Sequence, residues 1–152
     1  MTVLVRVETS LPCPPEEAWA ILLDWEHQAA WMLDADRVEV VSQEREGVGV
    51  RLAVRTRILG LPAFTETMEV IGWEPPRRLV LRHGGLVEGE GTWILTPEPG
   101  GTRFGWAEDV RLRIPVVGGA AAWLYAPVLR WLMRRGARGL REAVIASGPS
   151  RR

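Results

Sequence analysis

Pro14–Met32 reads PPEEAWAILLDWEHQAAWM, and it follows almost directly on Val3–Leu11, VLVRVETSL. In the earlier segment Val3, Val5, Val7, Thr9 and Leu11 share one side of an extended chain and Arg6 and Glu8 the other, the period-two pattern of a half-buried strand. Pro14 and Pro15 suit a helix start, where φ is already set and no N–H is needed. Glu16 and Glu17 then fall at the positive end of the helix dipole. Ala18, Trp19, Ile21, Leu22 and Trp25 recur at helical spacing, and Asp24 stands where it can cap a second short helix over Glu26–Met32. The segment predicts a strand running straight into a pair of short helices.

Downstream the period changes back to two. Strands are expected over Val38–Gln43, Val50–Leu59, Phe64–Trp73, Arg78–His83, Glu88–Thr96 and Thr102–Arg113. The connections are short and rich in turn formers: Glu46-Gly47-Val48-Gly49, Gly60-Leu61-Pro62, Glu74-Pro75-Pro76-Arg77, Gly84-Gly85 and Pro97-Glu98-Pro99-Gly100-Gly101. Successive strands joined this closely form an antiparallel meander. The chain closes with a long helix over Gly119–Ala146, in which Leu129, Leu132, Met133, Gly136, Leu140 and Val144 make an apolar stripe. Pro127 is either the first residue of its main part or a kink within it. Residues 1–147 read as one domain and 148–152 as a frayed tail.

Composition narrows the partners. The 152 residues carry 19 basic and 19 acidic side chains, so no net field favours nucleic acid or an anionic membrane. Every basic residue other than the two histidines is Arg, and the Arg-rich side of the last helix reads as a solvated face. The single cysteine, Cys13, excludes an internal disulfide and reads as a small buried thiol, not a nucleophile. With His27 and His83 the only histidines, no multi-histidine metal site is available; neither metal nor cofactor is expected. Ile114–Leu129 carries no charge, yet it is shorter than the ~20 residues of a spanning helix and contains Pro115, Gly118-Gly119 and Pro127. No transmembrane span is expected, and without a signal-peptide pattern the expected location is cytoplasmic.

Several pieces in this order carry a family resemblance: Pro14-Pro15-Glu16-Glu17-Ala18-Trp19 with Leu23-Asp24; Trp31; Trp73-Glu74-Pro75-Pro76-Arg77-Arg78-Leu79; Gly91-Thr92-Trp93 with Leu95; Gly100-Gly101-Thr102-Arg103; and the basic C-terminal helix. Over nearly its whole length the chain resembles the START-like helix-grip (SRPBCC) superfamily. That superfamily includes birch-pollen-allergen-like proteins and a polyketide cyclase/dehydratase-type branch. The resemblance implies an α+β fold in which a seven-stranded curved antiparallel sheet, with two short helices after its first strand, wraps a long C-terminal helix. It also implies a pocket between sheet and helix. The fold hosts carriers, receptors and enzymes alike, so function has to come from the pocket's own residues.

Strand alternation indicates which side chains face that pocket. Leu52 and Val54, Met68, Leu81, Trp93, Phe104 and Trp106 are the expected ligand-binding residues of the strands; Trp123, Tyr125 and Trp131 of the last helix are expected to close over them. Glu66, His83 and Glu108 are ionisable groups on otherwise apolar faces. They are the candidate catalytic residues, because a histidine beside a desolvated carboxylate can shuttle a proton. The plainer reading sets His83 in solvent before Gly84-Gly85, Glu66 at the pocket mouth and Glu108 against an Arg, and a one-residue bulge would turn either Glu outward. The expected function is a carrier or sensor of an apolar or amphipathic small molecule such as a lipid, polyketide or aromatic metabolite. The alternatives are a cyclase/dehydratase-like enzyme using the same pocket, and a homodimeric interaction module that pairs through the apolar Ile114–Leu132 region.

Overall fold

The computed structural model describes residues 2–32, 35–58, 61–113 and 118–148. Strand β1 (Val3–Leu11) has the expected bounds, with Val3, Val5, Val7 and Leu11 buried and Leu4, Arg6 and Glu8 exposed. Pro14, in extended conformation, precedes α1 (Pro15–Leu22), whose first turn holds Glu16 and Glu17 and whose Ala18 and Leu22 are buried. The second helix differs from expectation. It is a 3-10 helix over Trp25–Ala30, and Asp24 makes no side-chain cap. The Asp24 carboxylate instead takes a hydrogen bond from His27 Nδ1 at 2.8 Å, which raises the histidine's pKa above its ordinary value. The buried Trp25 donates its indole N–H to the Arg45 carbonyl, and the buried Gln28 amide donates to the Leu22 carbonyl, so two polar groups tie the helix pair down.

Six more strands follow: β2 (Ala35–Val40), β3 (Arg51–Ile58), β4 (Leu61–Glu74), β5 (Arg78–Gly84), β6 (Val87–Glu98) and β7 (Gly101–Leu112). They form one antiparallel sheet in the order β1-β7-β6-β5-β4-β3-β2. The helix pair carries the chain from one edge of the sheet to the other, which lets the first strand pair with the last. Strand β2 starts three residues earlier than the sequence pattern predicts, at Ala35 instead of Val38. The expected positions Leu59 and Gly60, residues 114–117 and tail residues 149–152 lie outside the described residues. Irregularities at Ala35/Arg37, Thr56/Arg57 and Val70/Gly72 bend the sheet.

Helix α2 (Gly118–Ser147) lies on the concave face and contains Pro127 within it. Its buried side chains Leu129, Met133, Ala137, Leu140 and Val144 follow helical spacing against β1 and β7. Two glycines let it approach closely. A Cβ at Gly139 would stand 2.8 Å from the Trp31 carbonyl oxygen, and one at Gly136 would stand 3.0 Å from Trp106 Cζ3. Ser147 ends α2, and Gly148 N donates to the Val144 carbonyl. Trp31, Trp93, Phe104 and Trp106 stack against one another in the centre of the molecule at ring separations of 6.1–6.4 Å.

Candidate functional site

Between sheet and α2 lies a cavity of about 80 Å³. Its sheet wall is built from alternate residues of β3 to β7. Val54 and Thr56 come from β3, Glu66 and Met68 from β4, Leu81 and His83 from β5, Trp93 from β6, and Trp106, Glu108 and Val110 from β7. The two bulges bounding the middle of β4 leave Glu66 and Met68 in phase between them, paired to Val54 and Leu52, so the Glu66 carboxylate is not turned outward.

The three ionisable groups of the wall are buried: Glu66 7%, His83 8% and Glu108 7% exposed. His83 and Glu108 sit on β5 and β7 with β6 between them, a span of about 10 Å across two strand spacings. Their backbone partners on β6 are Gly89 and Gly91. The missing side chain at Gly91 leaves room for the carboxylate, and the imidazole meets it across β6, His83 Nε2 to Glu108 Oε2 at 2.9 Å. A Cβ at Gly91 would stand 2.7 Å from Glu108 Oε1. The same Oε1 accepts the Trp106 indole N–H at 2.7 Å. Glu66 Oε1 accepts the Val87 backbone N–H at 3.2 Å. The result is a hydrogen-bonded line, Trp106–Glu108–His83, along an otherwise apolar wall. With Glu108 ionised, His83 donates through Nε2. Such a line can present both a proton donor and an acceptor to a bound molecule. Among the described residues, no three His, Cys, Asp or Glu side chains gather to hold a metal ion.

The expected solvated position of His83 and the expected Arg partner for Glu108 are both corrected by this geometry. Of the expected ligand-binding residues, Val54, Met68, Leu81, Trp93, Trp106 and Tyr125 line the cavity. Four do not. Leu52 pairs with Val40 and Met68 in the core, and Phe104, fully buried, packs behind the cavity against Trp93 and Trp106. Trp123 and Trp131 are 77% and 53% exposed. Eight residues are about 2.2 helical turns, so these two indoles share the outer side of α2, away from the inward Leu129 and Met133. The Arg135 guanidinium covers the Trp131 ring at 4.9 Å. Sequence reasoning missed Met32 and Ala35, which close the end of the cavity after the helix pair, and Leu129, Leu132, Met133 and Gly136, which form its α2 wall. The α2 residues were visible as an apolar stripe; only the glycine-mediated approach of the helix makes part of that stripe a cavity wall.

No protein of curated function matches the sequence. Solved structures match closely over nearly the whole chain. A protein of Thermus thermophilus is 27% identical with a TM-score of 0.82, covering 95% of this chain and 99% of that one. A START superfamily protein from Mycobacterium smegmatis is 17% identical with a TM-score of 0.76, covering 95% and 98%. The Zhui aromatase/cyclase of a Streptomyces species is 18% identical with a TM-score of 0.72, covering 96% and 93%. These likenesses agree with the helix-grip architecture of one curved seven-stranded sheet and a long C-terminal helix. The family model described as "Polyketide cyclase / dehydrase and lipid transport" matches residues 2–144, and the chain belongs to that family.

Proposed function

We propose that this protein binds an apolar or amphipathic small molecule between the sheet and α2, as a carrier or sensor. The observation that carries the reading is the Trp106–Glu108–His83 line set into the hydrocarbon wall of an internal cavity. Affinity comes from apolar burial, roughly 25 cal/mol per Å², and the polar line orients the ligand. The test is titration with N-phenyl-1-naphthylamine, a neutral apolar fluorophore, on wild type and on Thr56→Phe, which adds an aromatic ring to the wall. Saturable one-to-one binding, weakened about tenfold or more by the substitution (about 1.4 kcal/mol), supports the reading. Binding that does not saturate, or that ignores Thr56→Phe, overturns it.

The 2.9 Å contact between His83 and Glu108 favours a second reading, a cyclase/dehydratase-like enzyme in which this pair moves a proton at the bound substrate. His83→Ala and Glu108→Gln would then each lower turnover of a poly-β-carbonyl substrate by roughly 10²–10⁴-fold while binding persists. Unchanged turnover in both variants discards the acid–base role. The exposed outer side of α2, with Trp123, Leu124, Val128 and Trp131, favours a homodimer as the state in which the protein works. A mass fixed at 17.0 kDa at high concentration removes that part of the reading.

A further inference from the structure

The cavity wall holds two carboxyl groups and one imidazole, and the imidazole is already engaged by Glu108. Among the described residues that line it, the ionisable groups able to carry a full charge near neutrality are Glu66, Glu108 and His83; no Arg is among them, and the chain has no Lys. The arginines of β3, Arg51, Arg55 and Arg57, alternate onto the opposite face of the sheet, and those of α2 are exposed, with Arg141 donating to the Ser10 carbonyl of β1. Carboxylates act only as acceptors when ionised, with room for about four hydrogen bonds each. Glu108 receives one from Trp106 and one from His83, which leaves it acceptor capacity at the cavity surface. An incoming carboxylate or phosphate would meet two acidic side chains with no Arg or Lys to offset its desolvation and with the imidazole already bonded to Glu108, a costly arrangement in a dry site. An incoming O–H or N–H meets acceptors already held in place.

We propose that the cavity selects ligands whose buried polar end is a neutral hydrogen-bond donor, such as a phenol, enol, alcohol or amide N–H, and rejects fatty acids and other anions. The inference rests on the reading of this cavity as the ligand site. It makes Glu108 the specificity-determining residue: the Trp106 and His83 bonds fix the carboxylate, and Gly91 gives it room.

Three probes of one shape separate the terms: 2-naphthol (donor), 2-methoxynaphthalene (neutral, no donor) and 2-naphthoate (anion). Each is titrated into the intact protein at neutral pH by calorimetry or by quenching of the protein's tryptophan fluorescence. The expected order is naphthol tightest, by about tenfold over the ether, which corresponds to one well-made hydrogen bond of about 1.4 kcal/mol, with naphthoate weakest. Ether binding equal to naphthol, or naphthoate binding as tight as either, overturns the proposal while leaving the cavity as a ligand site. Failure of all three to bind a folded protein removes the cavity reading itself. The variant Glu108→Leu should erase the advantage of naphthol over the ether. An advantage that survives in a variant whose circular dichroism and melting remain cooperative overturns the assignment to Glu108. Should Glu108→Leu not fold, the wild-type series alone decides.

Discussion

Glu108 accepts hydrogen bonds from two buried donors, so different replacements of this one side chain separate its shape from its chemistry. Glu108→Gln keeps an oxygen for the Trp106 N–H or for His83 and nearly the same volume. Glu108→Leu removes the acceptor of the Trp106 N–H and the His83 contact from a low-dielectric wall. An orphaned buried donor costs about 1–3 kcal/mol, so the Leu variant should unfold at lower urea with a loss of roughly 2–4 kcal/mol, and the Gln variant should lose less than half of that. Equal losses would show that the hydrogen bonds contribute nothing beyond packing. Cys13 gives a pH test at the same scale. Burial, helped by the nearby Glu17, pushes its thiol pKa up, and Thr102 holds its carbonyl at 2.7 Å. A raised folded pKa means that the native state keeps the proton after the unfolded chain has lost it. The associated stability is therefore present below the ordinary thiol range and is lost as pH rises through it. As pH rises above the ordinary thiol pKa of about 8.5, wild type should lose stability more steeply than Cys13→Ala does, and its thiol should alkylate far more slowly folded than in urea. Parallel pH profiles for the two proteins would contradict this.

Helix α2 packs through glycines, Gly136 against Trp106 of β7 and Gly139 against the Trp31 backbone, and this reverses the usual effect of a helical Gly→Ala change. In an ordinary helix interior that change gains about 1 kcal/mol. At Gly139 the new Cβ would lie 2.8 Å from a backbone oxygen, which cannot rotate away. Gly139→Ala should therefore destabilise by about 1–3 kcal/mol, the range for overpacking, measured as a drop in melting temperature; a rise would show that α2 shifts freely. The same scale shows what the sequence made legible. Strand β1 came through with its bounds intact because Val3, Val5 and Val7 alternate cleanly with Leu4, Arg6 and Glu8. So did the inward direction of Glu66, His83 and Glu108, because alternation persists between the bulges of β4 and along β5 and β7. The second short helix, expected over Glu26–Met32, lies at Trp25–Ala30 as a 3-10 helix, since so short a segment carries too little periodicity to fix its bounds. The pairing of His83 with Glu108 was not legible either. It depends on β6 lying between their strands and placing Gly91 beside the carboxylate, a fact of sheet order rather than of local pattern. Trp123 and Trp131 were assigned inward on residue type alone, and their helical phase places them outside.

At the scale of the whole molecule, the cavity is too small for the ligands the fold invites. An internal cavity of about 150 Å³ holds one benzene, and this one measures about 80 Å³. Binding anything of two rings requires the walls to yield. Part of the room comes from side chains: Met32, Met68 and Met133 line the space, and unbranched thioethers repack readily. The larger movement belongs to α2. None of its described side chains from Ala120 to Val128 is fully buried, whereas Leu129, Met133, Ala137, Leu140 and Val144 anchor the remainder. The first part of the helix, with Tyr125 over the cavity, is thus the least anchored element bordering the site. Amides of residues 123–128 should exchange with deuterium faster than those of 133–144, and N-phenyl-1-naphthylamine should slow the former selectively. Access through such an opening also limits the rate, so the observed association rate of the dye should level off as its concentration rises. A rate that climbs linearly towards the ordinary 10⁵–10⁷ M⁻¹s⁻¹ range, together with uniform exchange along α2, would mean that the cavity stands open without help from the helix.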